Sequence, residues 1–165
     1  MSAQAVIDSL EFAQAGQTLR GNLPVSGMAR LQDDLYDDLG EVEFVVQGGT
    51  DAWRRPVLML EVRGVLHLRC QRCLGVLDYP LRLANRLLLV SEAEAAPGAP
   101  DDEGIEWVEA SAALDVAGLV EDEVLLGLPY APRHDEGCCT GDADLRQERS
   151  KPSPFAKLAA LKKDR

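Results

Sequence analysis

Two runs of alternating hydrophobicity, one on each side of a short cysteine turn, constrain this chain more than any other feature. In "VLMLEVRGVLHLRC" one parity holds Leu58, Leu60, Val62, Gly64, Leu66, Leu68 and Cys70, and the other holds Glu61, Arg63, His67 and Arg69. After the turn, Leu77, Tyr79, Leu81, Leu83, Leu87 and Leu89 alternate with Asp78, Arg82 and Arg86. Strand side chains point to opposite faces with a period of two, so the pattern predicts a long antiparallel hairpin with one face in the core. Gly64 interrupts the apolar parity and predicts a bulge that bends the first strand.

The flanking segments supply the rest of an α+β fold. Asp8 or Ser9 caps a short helix through Ala15, and Gly16 suits its C-terminal stop. "TLRGNLPV" reads as extended, and Ser26 is positioned to cap a second short helix in "GMARLQDDL". "EVEFVV" is a half-buried strand with Val42, Phe44 and Val46 on one face. Residues 91–104, rich in acids, Ala, Pro and Gly, read as a mobile surface loop. "LDVAGLVEDEVLLGLP" reads as the main helix, capped by Asp115 and stopped by Pro129. The expected architecture is a bent antiparallel sheet, built on the hairpin around the C-x-x-C turn, with one main helix packed on it. It forms a single domain over residues 1–135. Residues 136–165 follow as a flexible tether and a basic C-terminal helix, with Ser153 as its cap and Pro154 at its first position. Phe155, Leu158 and Leu161 lie near one face of that helix, and Lys162 and Lys163 suit the negative end of its dipole.

Charge narrows the classes of partner. The formal net charge is −11, but it is segregated. Residues 52–90 carry seven Arg against Glu61 and Asp78, and residues 91–123 carry eleven acids and no Lys or Arg. Residues 145–165 return to seven basic residues against Glu148 and Asp164. A chain arranged this way can present a basic face despite its overall acidity. Strand parity places Arg63, Arg69, Arg82 and Arg86 together on the solvent face of the hairpin as candidate phosphate contacts. The competing reading is an ordinary solvated face with its arginines paired to acids.

Cys70 and Cys73 have the spacing of half a zinc site, and two thiolates on a tight turn can share one tetrahedral ion. The plausible completing ligands are His134 and Cys139. A turn whose cysteines merely pack is the other reading. A thioredoxin-type redox pair needs a helix immediately after the pair, and "LGVLDYPL" continues as a strand instead. The acids Glu121, Asp122 and Glu123 point about 100° apart on a helix and cannot converge on one ion; they read as a solvated helix face. No Ser-His-Asp order, phosphate-binding glycine loop or H-E-x-x-H is present, so no catalytic constellation is expected. The N-terminus lacks a basic and apolar leader, and no apolar run is long enough for a bilayer. A cytoplasmic protein with reduced thiols is expected, with no membrane partner and no small-molecule substrate.

Three stretches, "CQRCLGVLDYPL", "LDVAGLVEDEVLLGLPYAPRHDEGC" and "KPSPFAKLAALK", together resemble the bacterial YceD family, the large ribosomal RNA subunit accumulation proteins. The resemblance runs from about Leu58 to Lys162. It implies a role in the synthesis, processing or stability of 23S ribosomal RNA, with large-subunit RNA or a pre-ribosomal protein as partner. The family pattern carries over to Cys70, Cys73, His134 and Cys139, whereas Cys138 is additional to it. The expected function is therefore a non-catalytic ribosome-assembly factor. A protein-binding adaptor that docks Phe155, Leu158, Leu161 and Lys162 on its partner without touching RNA is the alternative.

Overall fold

Thr18 to Val90 is dominated by four strands that pair in sequence order. The computed structural model describes residues 5–91 and 106–139. In chain order the elements are β1 (Val6–Ile7), α1 (Ser9–Gln14), β2 (Thr18–Pro24), β3 (Glu41–Thr50), β4 (Pro56–Arg69), β5 (Val76–Val90), β6 (Glu106–Glu109), β7 (Leu114–Asp115) and α2 (Val116–Gly127). The main sheet has the order β2-β3-β4-β5-β6, and β1 and β7 form a separate two-stranded ladder. Expectations for residues 92–104, and for Phe155, Leu158, Leu161 and Lys162, lie outside the described residues.

The alternation read from the sequence sorts side chains as expected. Leu58, Leu60, Val62, Leu66, Leu68, Leu81, Leu87 and Leu89 are buried on the inner face, with Val42, Phe44 and Val46 of β3 beside them. Phe12 of α1 and Val116, Leu119, Val120 and Val124 of α2 complete that core. Both helices start where their caps predict: the Asp8 carboxylate accepts from the Glu11 N–H, and that of Asp115 from the Ala117 N–H. Ser9, buried beneath α1, exchanges hydrogen bonds with the backbone of Ser111 and ties the helix to the segment before β7.

Four expectations need correction. β6 pairs with β5 in parallel, so the sheet is mixed rather than wholly antiparallel. Its four residues, "EWVE", are too few to show a period. Gly64 makes no bulge, because β4 keeps one register with both neighbours through it. A Cβ there would stand 2.9 Å from Val42 Cγ1 and 3.2 Å from the Glu41 carbonyl, so the glycine serves close strand approach. Ser26 caps no helix: it sits inside a 3-10 turn, Val25–Gly27, separated from a second turn, Ala29–Leu31, by a non-helical Met28. The acids of α2 are not simply solvated, as described next.

Arg30 holds two of them. Its backbone N–H and its Nε both donate to the Glu121 carboxylate, at 2.7 and 3.0 Å, and its guanidinium pairs with Asp122. Another guanidinium nitrogen donates to the Gly118 carbonyl. Glu123 turns the other way and is buried, accepting from the Asn85 amide on the inner face of β5. Glu123 therefore diverges from Glu121 and Asp122, which meet on Arg30, and the three fasten α2 to the sheet on one side and to the 3-10 turns on the other.

Candidate metal centre and sheet face

The turn between β4 and β5 is a compact knuckle. The Leu74 N–H donates to the Cys70 carbonyl at 2.8 Å, and the Cys70 N–H to the Gly75 carbonyl at 3.0 Å. Leu74 adopts a left-handed φ of 59°, which curls the chain so that Cys70 and Cys73 face the same side. The segment after α2 is stitched to this knuckle where the Gln71 N–H donates to the Pro132 carbonyl at 2.8 Å. That bond delivers His134 and Cys139 to the two turn cysteines.

The four ligand atoms of Cys70, Cys73, His134 and Cys139 all lie within 4.8 Å of one another. Cys70 Sγ is 3.8 Å from Cys139 Sγ, and His134 Nδ1 is 3.5 Å from Cys73 Sγ and 3.6 Å from Cys139 Sγ. With zinc at about 2.3 Å from sulfur and about 2.0 Å from nitrogen, tetrahedral edges come to about 3.8 Å for S···S and about 3.5 Å for S···N. These three separations match those edges. All four thiols are unpaired by disulfides, and Cys138 points outward.

The surroundings favour ligation. Burial opposes ionisation of the Cys70 thiol, yet the N–H groups of Cys73, His134 and Arg72 aimed at its sulfur outweigh it and bring its pKa down to about 5. A thiolate is the form that binds metal. Hydrogen bonds to Cys139 and the Val76 carbonyl raise the His134 pKa and so favour the protonated ring, a proton that a metal has to displace. His134 Nε2 lies 2.8 Å from the Val76 carbonyl, which accepts from it and leaves Nδ1 for a metal. Such outer hydrogen bonds fix ring orientation and tautomer in metal sites. Arg72, between the two turn cysteines, donates through Nε to Cys139 Sγ at 3.0 Å and through another guanidinium nitrogen to the Asp135 carbonyl. Were zinc held by the three cysteines and His134, the positive charge of Arg72 would offset the net negative charge of that Cys₃His set. Arg72 was not among the residues singled out from sequence; its position inside "CQRC" was the available signal.

The candidate arginines share the outer face of the sheet and are all exposed, but they do not form one cluster. Arg63 and Arg82 are direct Cα partners across β4 and β5, with Glu43 opposite Arg63 on the other side. Arg63 pairs with Glu61 at 3.0 Å, both largely exposed. Arg86 lies four pairs further along the β4–β5 ladder, opposite Met59 and 4.0 Å from Asp51. Arg69 is at the far end, where it donates to the Leu35 carbonyl at 3.4 Å. His67 lies between Asp37, 2.7 Å from Nδ1, and Asp78, 3.7 Å from Nε2. The face is thus charge-mixed, with its positive centre at Arg63 and Arg82. Among the described residues, no helix is long and apolar enough to cross a membrane.

The family model for large ribosomal RNA subunit accumulation protein YceD matches residues 58–162. The Haemophilus influenzae protein called large ribosomal RNA subunit accumulation protein YceD is 29% identical over 164 residues, covering 94% of each chain. No solved structure matches.

Proposed function

Because this chain belongs to the YceD family of large ribosomal RNA subunit accumulation proteins, we propose that it sustains the accumulation of 23S ribosomal RNA by binding that RNA in the cytoplasm without catalysing a reaction. The observation that carries this reading is the direct opposition of Arg63 and Arg82. Like charges facing each other across a ladder destabilise a sheet. A phosphate oxygen accepting from both guanidinium groups turns that cost into binding, and arginine forks suit phosphate geometry.

In this reading the metal centre is a brace. Zinc held by Cys70, Cys73, Cys139 and His134 has a closed shell of protein ligands, so it supplies cross-linking rather than an open position for substrate. It locks the end of the β4–β5 hairpin to the segment after α2 and holds the sheet face rigid.

A second reading, a protein adaptor that never touches RNA, draws support from Leu74 and Val76, which expose 64% and 43% of their surface on and beside the knuckle. Complementation separates the two. In cells lacking the protein, the wild-type chain restores 23S ribosomal RNA and the Arg63→Gln/Arg82→Gln chain does not. Full restoration by the double variant favours the adaptor.

A further inference from the structure

Both tryptophans of the chain lie at one end of the outer sheet face. Trp53 sits in the β3–β4 turn and is 73% exposed; Trp107 lies on edge strand β6 and is 54% exposed. The register places Trp107 in one row with Leu88 and Val57, and that row is adjacent to the pair Met59 and Arg86. Val108, the next residue, packs against the core, so Trp107 faces outward.

The turn that carries Trp53 is fixed rather than loose. The Asp51 side chain, only 1% exposed, accepts from the N–H groups of Trp53 and Arg55 at 2.9 and 2.8 Å and pairs with the Arg55 guanidinium at 2.8 Å. Arg55 in turn stacks on the Trp53 ring with its guanidinium carbon 5.0 Å from the centroid. Arg54 is held exposed at a left-handed φ of 64°, a conformation that costs a non-glycine residue free energy. Arg86 stands against the same carboxylate at 4.0 Å. The end of the sheet therefore combines two exposed indoles, three arginines and one buried, engaged acid. Glu106 and Glu109 flank Trp107 on the edge strand, which leaves the Trp53 side as the positive side.

From this juxtaposition we infer a binding site for unpaired RNA bases: an exposed base stacks on Trp53 and a neighbouring one on Trp107, while Arg54 and Arg86 hold the intervening phosphates. Exposed aromatic rings among cations suit a nucleobase and its phosphate, because every base has a π-face and single strands are held by stacking plus backbone charge. A buried duplex base cannot stack this way. The inference deepens the proposed RNA-binding reading and rests on it: Arg63 and Arg82 hold backbone, and the tryptophan end selects unpaired segments.

The test titrates the full chain, at fixed salt, with an unpaired oligoribonucleotide of about eight nucleotides and with a blunt-ended RNA duplex that leaves no base unpaired. Intrinsic tryptophan fluorescence and anisotropy of labelled RNA are the readouts. Trp53 and Trp107 are the only tryptophans, so quenching by the unpaired RNA reports on this site alone. Trp53→Ala is expected to weaken unpaired RNA about ten-fold or more, the scale of one lost base stack. Duplex affinity and thermal midpoint should stay unchanged. Trp107→Ala should act in the same direction. Unquenched fluorescence, or wild-type affinity for unpaired RNA in both variants, overturns the stacking site while leaving phosphate binding through Arg63 and Arg82 intact. Loss of co-purifying ribosomal protein with RNA affinity unchanged overturns it in favour of a protein partner. Failure of the wild-type chain to bind either RNA removes the parent reading as well.

Discussion

Cys70 Sγ and Cys139 Sγ lie 3.8 Å apart although 69 residues separate them in the chain, too far for a disulfide and at the edge length of a zinc tetrahedron, about 3.8 Å. The first prediction follows. Protein purified with its thiols reduced carries one equivalent of zinc, and the cobalt-substituted form shows a tetrahedral sulfur-rich spectrum. Chelation lowers the thermal midpoint by about 5–10 °C, as expected when a ligand present at about a hundredfold over its dissociation constant is withdrawn from a chain of this size. A metal-free protein whose midpoint ignores both zinc and chelator refutes the brace.

The adjacent cysteines give a sharper version. Cys139 is buried among the other ligands, whereas Cys138 is exposed. Cys139→Ser is expected to abolish stoichiometric zinc, and Cys138→Ser to leave both zinc content and midpoint as in the wild type. Elemental analysis of the two variants side by side decides it; equal loss in both assigns the ligand wrongly.

The hairpin was legible because its two halves alternate for more than ten residues each, and the caps at Asp8 and Asp115 were legible because a carboxylate at a helix start has one main use. The grouping of Cys70 and Cys73 with His134 and Cys139 was anticipated from the C-x-x-C spacing, the residue types after the main helix and the family resemblance. What the sequence did not disclose were relations set by register. The sequence shows Arg63 and Arg82 on the same face, but only the pairing of β4 with β5 makes them direct opposites. Glu123 looks like its neighbours Glu121 and Asp122 in sequence, and only its place on the side of α2 that meets Asn85 buries it. Trp107 sits in a strand too short to be periodic, so its alignment with Leu88 was invisible.

Glu123 yields a pH-dependent prediction. Burial holds its carboxyl above the usual glutamate range; the Asn85 hydrogen bond opposes that, and Glu106 and Asp122 add to it. A raised folded-state pKa means that the charge costs nothing below the unfolded value of about 4.3 and costs stability as pH rises through the folded value. Glu123→Gln keeps an acceptor for Asn85, so it should raise the thermal midpoint at pH 7, with the gain fading toward pH 4. Calorimetric scans across that range check it; a drop in midpoint at pH 7 would show that the carboxylate is needed ionised.

Gly48 offers a test of how closely α1 sits on the sheet. A Cβ there would stand 2.3 Å from the Phe12 carbonyl oxygen and 2.7 Å from Ala13 Cα, both backbone atoms. Gly48→Ala must displace the helix, and overpacking of this kind costs about 1–3 kcal/mol. Urea unfolding should show the midpoint falling with an unchanged slope; an unaltered midpoint would mean that α1 moves without penalty.

The opposed arginines carry the functional reading, and their removal separates function from stability. Arg63→Gln/Arg82→Gln relieves like-charge opposition, while the exposed Arg63–Glu61 pair that it sacrifices is worth little. The double variant should therefore melt at or above the wild-type midpoint yet bind large-subunit RNA fragments more weakly. The slope of log affinity against log salt should shrink by about 0.7 for the one phosphate that the two arginines share on a single strand. An unchanged slope would place the phosphates elsewhere.

The most direct measurement is ultraviolet crosslinking in living cells followed by sequencing of the RNA attached to the protein, for the wild-type chain and for the Arg63→Gln/Arg82→Gln chain expressed at equal level. Large-subunit ribosomal RNA should be enriched with the wild type and fall to background with the double variant. Absence of large-subunit RNA from the wild-type crosslinks, or its undiminished recovery with the double variant, would contradict RNA binding through this sheet face.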